Sequence, residues 1–431
     1  MGGRGRAATG YAARRGGRLR PRPPPPLAAQ ASIRAQADDR KPTALYLGRN
    51  LYLGGAERVW VSYLNHARRV RAVGVLLDAR GTLLRELRPD VELFDLSGAE
   101  RVVSSEVRAS GLAPGHDSVA KWKIFREAYR LGRIVRETGA DVITSFLMRS
   151  HMVALLTREL WCRDVRLVFN VHSMMIQSAH HLYRDPASLA LMRGFLRWGF
   201  PRADRVAVVA EGVAAELREH YPALGPRISV VHNPLDLQGI QDAATRGSRL
   251  PEAQEPIIVA AGRLVALKGL DVLLDAVARM RDVHPTVVLV GDGPEAPALR
   301  ARAERLGLAD RVHLVGETRN PWAYMAQATV LALPSRTEAF PNVIGEALAL
   351  GVPVVATTCA PGIREYLGGG RCGVLVPPDD PAALADALER VLRDPDLRAR
   401  LAEDGLREVQ HFGLGPGVER YERLLEEVIR A

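Results

Sequence analysis

From residue 43 onward, short apolar runs alternate with stretches whose apolar residues recur every three or four positions. Residues 43–48, 72–77, 91–94, 142–145, 165–171 and 205–209 have the short, continuous apolar pattern of strands. Helical patterns at 56–69, 119–139 and 150–161 separate them. A strand without polar alternation is buried on both faces, as in a parallel sheet covered by helices. After the strand and Asn-Pro turn at 228–236, the chain reads as polar and structureless from Gln238 to Glu255. The pattern then resumes, with strands expected at 256–261, 286–290, 312–315, 329–333 and 352–356. Helices are expected at 269–282, 295–306, 322–327, 342–350, 381–393, 396–408 and 416–430. The expectation is α/β: two doubly wound, Rossmann-like domains facing across a cleft, with ligands at the carboxyl ends of the strands. The expected division is an N-terminal domain at 42–238, a linker at 239–255, a C-terminal domain at 256–407 and a closing segment at 408–431. The helix in that segment is expected to pack back on the first domain.

Composition narrows the class. A chain of 431 residues exceeds one ordinary core, and 47% hydrophobic with 25% charged residues is a globular balance. Residues 1–41 read as a disordered basic tail of Gly, Arg and Pro, without the apolar core of a signal peptide. Nine Arg against Asp38 and Asp39 put +7 of the net +10 in residues 1–40. Within the remainder, residues 121–206 carry 15 Lys/Arg against 7 Asp/Glu, so positive charge is concentrated in the first domain. No nucleic-acid motif accompanies it, and no nucleic-acid partner is expected. The three cysteines are widely spaced and form no CxxC pair, which points to a reducing, cytoplasmic setting. No apolar run is long enough to span a bilayer.

The chemistry concentrates in two stretches. Residues 334–357 read as loop, helix and strand, with Pro341 suited to the first helical position. Glu338 stands before this helix and Glu346 inside its second turn, roughly 7–8 Å apart along the axis. Two carboxylates so spaced can grip hydroxyls at both ends of a molecule with an anionic middle. Gly262, Arg263 and Lys268 lie between a buried strand and a helix start, where free N–H groups, a helix dipole and two cations make an anion site. Gly54 and Gly55, after the first strand, let the backbone approach a ligand from the opposite wall. Two further patterns are weaker. Gly291-Asp-Gly-Pro-Glu-Ala matches a dinucleotide fingerprint, but the nearest acidic strand end, Glu317, comes too late. Asp394-Pro-Asp396 spells a DxD metal motif but sits between two helices as a turn and cap, so no metal is expected.

Taken in order, Gly54-Gly-Ala-Glu-Arg58, His232-Asn-Pro, Gly262-Arg-Leu with Lys268-Gly, Gly291-Asp-Gly-Pro and Glu338-x7-Glu346 resemble the retaining glycosyltransferases of family 4, which have the GT-B fold. The resemblance covers nearly all of residues 42–431. It implies that Arg263 and Lys268 neutralise the diphosphate of a nucleotide-sugar donor, without a metal or other cofactor. It implies that Glu346 holds the ribose and Glu338 the donor sugar. The backbone of Ala339, Phe340, Pro341, Asn342 and Val343 would face sugar and phosphates, with Gly54, Gly55, Gly262, Gly291 and Arg319 completing the donor site. His172, at the end of a first-domain strand, would meet donor sugar or acceptor, although Val171-His-Ser departs from the commonest form of that motif. UDP is the expected nucleotide by family frequency, and a glycan or lipid-linked molecule the expected acceptor.

The first domain's charge bears on that acceptor. Trp122, Lys123, Phe125, Arg126 and Arg130, and the stretch 182–200 with Arg184, Arg193 and Arg197, mix large apolar residues with cations. Such faces suit peripheral docking on an anionic membrane as well as ordinary packing. The alternative from another class is an NAD(P)-dependent two-domain oxidoreductase using the Gly291 loop.

Overall fold

The computed structural model describes residues 40–98, 100–102, 121–176, 185–246 and 256–431. The expected disordered tail, except Arg40 and Lys41, lies outside the described residues, as does the last part of the expected linker, 247–255.

Two sheets form the framework. The first contains β1 (Thr43–Gly48), β2 (Arg71–Leu76), β3 (Glu92–Asp95), β4 (Glu100–Val102), β5 (Val142–Phe146), β6 (Arg166–Val171), β7 (Arg205–Val208) and β8 (Ile228–Val230). Its order is β4-β3-β2-β1-β5-β6-β7-β8, parallel throughout except for β4 against β3. The second has β9 (Ile257–Ala261), β10 (Thr286–Val290), β11 (Val312–Gly316), β12 (Val330–Leu333), β13 (Val354–Thr357) and β14 (Gly373–Val376), in the order β11-β10-β9-β12-β13-β14, all parallel. The central strands are apolar because helices cover both faces: β1, β5, β10, β12 and β13 are buried along their whole length. Strand order reverses between β1 and β5 in one sheet and between β9 and β12 in the other. Loops leaving the carboxyl ends of such neighbours open side by side, and that is where these folds hold ligands.

Two expectations need correction. The segment from Gln238 is not structureless, because helix Leu237–Ala244 occupies its start. Asp236 caps it by accepting from the Gly239 N–H at 3.0 Å, and Ile240 buries its apolar side. The helix belongs with the second sheet: Gln241 donates to the Ala349 carbonyl and Asn320 to that of Ala243. The crossover is therefore the short stretch 231–236. The strands β4 and β14 were not expected at all, both being brief, and Gly373 in β14 obscures its apolar pattern.

Helix Leu414–Arg430 packs on the first domain. The Tyr421 ring stacks on Tyr63 at 4.1 Å, and its hydroxyl bonds Asn170 and Thr144. Glu422, 2% exposed, accepts from the backbone N–H groups of Arg68, Arg69 and Val70 at 2.8, 2.7 and 3.1 Å.

Candidate active site

The reversal between β9 and β12 sets two loops beside each other. One runs from Gly262 through a 3-10 turn at Ala266–Lys268 to Gly269, which caps helix Leu270–Arg279. The other carries Ser335, Arg336 and Glu338. Arg336 fastens them together. It forms a two-pronged pair with Asp271 at 2.8 and 2.9 Å, a bond to Asp379 at 2.7 Å and one to the Ala266 carbonyl at 2.6 Å. The hydrogen bonds to Asp271 hold its guanidinium firmly charged. Sequence reasoning passed over Arg336, because Asp271 and Asp379 are distant in the chain.

Within this frame Lys268 Nζ donates to Glu338 Oε1 at 2.5 Å, and the Ser335 hydroxyl donates to the same oxygen at 2.8 Å. Lys268 is thus neutralised by the neighbouring carboxylate, while Arg263 stands exposed in the same loop. Gly262 opens toward Lys268, with its φ of 143° in a region closed to most side chains.

Pro341 is not the first helical residue. Its φ of −73° suits a helix, but its ψ of 109° is extended, so it caps the helix Asn342–Ala349. The Ile344 N–H bonds the Pro341 carbonyl, and among the described residues no hydrogen bond is seen for the Asn342 and Val343 backbone N–H groups of this first turn. Ala339 and Phe340 are buried beneath them, Phe340 stacked on Tyr366 at 3.7 Å. Glu346, only 9% exposed, lies on the same helix. Burial raises its pKa, while Arg58 from the first domain and the Trp322 indole pull it down. The Trp322 N–H is directed at this carboxylate but outside hydrogen-bond geometry and has no other partner.

Arg58 crosses the cleft. Its guanidinium lies 5.0 Å from the centre of the Trp322 ring and its Nη2 is 3.4 Å from the Arg319 carbonyl. Arg319 therefore reaches the cleft through its backbone, its side chain being exposed. Gly54 caps helix Gly55–His66, and the side-chain Nδ2 of Asn342 donates to the Gly55 carbonyl at 3.5 Å. The glycine loop therefore meets the helix that carries Glu346. Beside it Asn233, in the crossover, donates to Asn342 Oδ1 at 2.8 Å.

His172 follows β6, with its ring stacked on Phe146 at 5.5 Å. Burial depresses its pKa to about 4, against a small upward pull from Asn233. Its Nδ1 and the Asn233 Oδ1 are both buried without a well-formed hydrogen bond, so two polar atoms at the crossover lack partners. Nearby in the chain, Leu147 takes a φ of 70° and is 37% exposed where β5 runs into helix Met148–Trp161. A bulky residue in the left-handed region at a strand end is a strain signal that no sequence pattern announced.

Gly291 has a visible structural task. With a φ of 138°, its missing side chain makes room for the Gly262 carbonyl, and a Cβ there would collide with it. The Gly262 N–H bonds Val290 and the Leu264 N–H bonds Asp292, both at 2.9 Å. The fingerprint-like loop thus supports the Arg263 loop. Asp394 caps the helix Pro395–Glu408 by accepting from the Leu397 N–H at 2.8 Å. Among the described residues no group of three or more His, Cys, Asp or Glu side chains is placed to hold a metal ion.

Two Rossmann-like domains, with a cationic loop and a buried carboxylate in one and a glycine loop opposite the helix of that carboxylate in the other, define a two-domain α/β protein of the GT-B fold. Comparison with known proteins gives the family: residues 255–394 match the model "Glycosyl transferases group 1" and residues 53–238 the model "Glycosyltransferase Family 4". The chain belongs to this glycosyltransferase family and is a glycosyl-transferring enzyme. It is 31% identical over 390 residues to the D-inositol 3-phosphate glycosyltransferase of Streptomyces avermitilis, covering 84% of this chain and 81% of the relative. It is 28% identical over 271 residues to a Campylobacter jejuni N-acetylgalactosaminyltransferase, covering 63% and 72%. That enzyme's name specifies the acceptor N-acetylgalactosamine-N,N'-diacetylbacillosaminyl-diphospho-undecaprenol. The Anabaena protein HepE, solved with UDP-glucose, superimposes with a TM-score of 0.72 at 21% identity, over 89% of this chain and 99% of HepE.

Proposed function

We propose that the protein is a retaining glycosyltransferase that moves a hexose-type sugar from a UDP-sugar to a glycan or lipid-linked acceptor, without a metal or other cofactor. The observation that carries this reading is the Lys268–Glu338 pair, with exposed Arg263 on the same loop as Lys268 and buried Glu346 on the helix that begins at Asn342. The diphosphate takes Arg263, Lys268 and the helix N-terminus, which supply the charge that a divalent ion would otherwise provide. Lys268 then exchanges Glu338 for phosphate, freeing that carboxylate for the donor sugar and the developing oxocarbenium charge. Glu346 takes the ribose hydroxyls, which donate to it in place of the absent hydrogen bond from Trp322. Departure and attack on one face of the sugar retain the anomeric configuration. HepE, solved with UDP-glucose, supports the choice of UDP, and the undecaprenol-linked acceptor of the Campylobacter enzyme supports a lipid-linked one.

The test is a panel of UDP-, GDP- and ADP-sugars assayed for hydrolysis and transfer, with the product linkage read by NMR. Turnover of a UDP-sugar with retention, unchanged by EDTA, is expected. Inversion, or strict dependence on added Mg²⁺ or Mn²⁺, overturns the corresponding part of the proposal.

The same reading places the enzyme at the cytoplasmic face of a membrane. No described helix is long and apolar enough to cross one. Phe125 and Tyr129 on helix Lys121–Thr138, and Leu160 on Met148–Trp161, are about half exposed, at 46%, 49% and 52%. Arg126, Arg133 and Arg163 lie close to them in the chain. Sedimentation with anionic and neutral vesicles at low and high salt tests the docking. Equal recovery with both lipid types removes this element.

A further inference from the structure

Helix Glu211–His220 follows β7 without a side-chain cap of its own. Its N-cap residue is Ala210, which has no acceptor to offer, and the Glu211 carboxylate pairs instead with Arg218 at 3.4 Å. The Val213 and Ala214 N–H groups bond the Ala210 carbonyl, which leaves those of Glu211 and Gly212 to a partner outside the helix. That partner comes from the other domain. Glu365, on helix Pro361–Tyr366, accepts from the Glu211 N–H at 3.2 Å and from the Gly212 N–H at 3.4 Å, one on each carboxylate oxygen. Its negative charge also complements the positive end of the helix dipole. A third bond, at 3.0 Å, joins Glu365 Oε2 to Nε2 of His232 in the crossover. Burial opposes the charge on Glu365, but the bonds from His232 and the two N–H groups outweigh it and hold its pKa below the ordinary carboxylate value.

The helix that carries Glu365 is wedged between this contact and the loop that carries Glu338. On one side Pro361 packs on Gly212 so closely that a Cβ there would lie 2.7 Å from the proline ring. On the other side Gly362 lies against the Ala339 carbonyl, and a Cβ on it would collide with that oxygen. Tyr366 stacks on Phe340, and the His232 ring lies 4.9 Å from the same phenylalanine. One carboxylate therefore ties a first-domain helix, the crossover and the segment leading into helix Asn342–Ala349 at a single spacing. Rotation of one domain against the other about the crossover has to break its bonds to Glu211 and Gly212. We propose that Glu365 is a positioning residue for glycosyl transfer: a helix cap supplied from the opposite domain, it fixes the angle at which the first domain is presented to the Glu338 loop. This role does not depend on which nucleotide sugar is the donor.

Two variants separate this role from that of an ordinary cap. Glu365→Ala removes all three bonds, and Ala210→Ser added to it restores a local cap without reconnecting the domains. In Glu365→Ala the affinity for UDP, read by isothermal titration, should be unchanged. Turnover of UDP-glucose should fall about tenfold or more, as for misaligned reacting groups. The radius of gyration from small-angle scattering should shift to a larger value. The double variant should recover the thermal unfolding midpoint, but neither turnover nor the wild-type scattering. Recovery of turnover and scattering by Ala210→Ser makes Glu365 a cap only and overturns the proposal. So do wild-type turnover and scattering in Glu365→Ala itself. Weaker UDP binding to folded Glu365→Ala overturns it as well, since the residue would then serve the donor site. Glu365→Gln, which keeps the size and one acceptor oxygen, is measured in the same way if the alanine variant does not fold. The titration and turnover arms use the proposed donor. A wild type that neither binds UDP nor turns over UDP-glucose overturns that donor assignment instead, and the scattering comparison then decides the role of Glu365 alone.

Discussion

Lys268 is paired with Glu338 and Glu346 is buried beside Arg58 and Trp322, which makes single substitutions there informative. Lys268→Ala and Glu346→Gln should both leave the fold intact, since neither side chain belongs to an apolar cluster. Each removes a charged contact to the proposed donor, worth about 1.5–3 kcal/mol, or roughly 10- to 100-fold in affinity. Isothermal titration with UDP should show the loss in both, and unaltered binding to both would displace the site from this cleft. A second consequence comes from two buried imidazoles in the first domain. His151, 1% exposed and bonded to the Ser145 hydroxyl at 2.8 Å, has its pKa depressed to about 3 by burial and then by His172. His172 is depressed to about 4 by burial. In the unfolded chain both should titrate near the ordinary value of 6.5. As pH falls below that value the unfolded state binds protons that the folded state refuses, so stability declines from about pH 6.5 toward pH 4 and 3. The expected loss between pH 6.5 and 5 is about 2 kcal/mol per histidine. Urea midpoints at the two pH values measure it, and His151→Gln should remove about half of the slope.

The secondary elements show what a linear pattern can and cannot reveal. The parallel strands were legible because burial on both faces writes itself as an unbroken apolar run, as in Thr286–Val290. The strand, loop and helix around Arg263 and Lys268 were legible because an apolar run, a glycine, two cations and a helical pattern follow one another within a short stretch. Helix Leu237–Ala244 was missed because its cue, Asp236 followed by Gly239, also fits an ordinary turn, and its buried face is little more than Ile240. The cap is nevertheless what starts it. Asp236→Ala should therefore cost about 1 kcal/mol, seen as a shift in the second domain's unfolding midpoint. An unshifted midpoint would mean that packing against Trp322–Met325 and Asn342–Ala349, rather than the cap, forms the helix. The cross-cleft contacts of Arg58 were illegible for another reason. A charge in the first turn of a helix reads as a solvated end, and only the closing of two sheets on one another brings Trp322 and Glu346 opposite it.

At the scale of the molecule, the chain passes between its two sheets twice, and the passages touch. The Leu235 N–H bonds the Phe412 carbonyl at 2.9 Å, and Leu235 bridges Gly413. Any opening of the cleft has to bend both strands of this double hinge. The Phe340–Tyr366–Phe412 cluster and the His232–Glu365 bond at 3.0 Å sit beside it, and Glu365 also accepts from the N–H groups of Glu211 and Gly212 in the first domain. Past the hinge, the final helix is held to the first domain by Glu422, whose single Oε1 receives three backbone N–H groups at the end of helix Gly55–His66. That contact links the return of the chain to the element carrying Gly55, Glu57 and Arg58. Glu422→Ala strands the Val70 N–H in a buried setting and leaves the other two N–H groups partly screened from water. A cost of about 3 kcal/mol is expected. Because the damage falls on the first domain, the variant should unfold at lower urea while a UDP-induced shift in its midpoint persists, since Arg263, Lys268 and Glu346 are untouched. Loss of that shift in still-folded protein would mean that the donor site depends on the closing helix as well as on the second sheet.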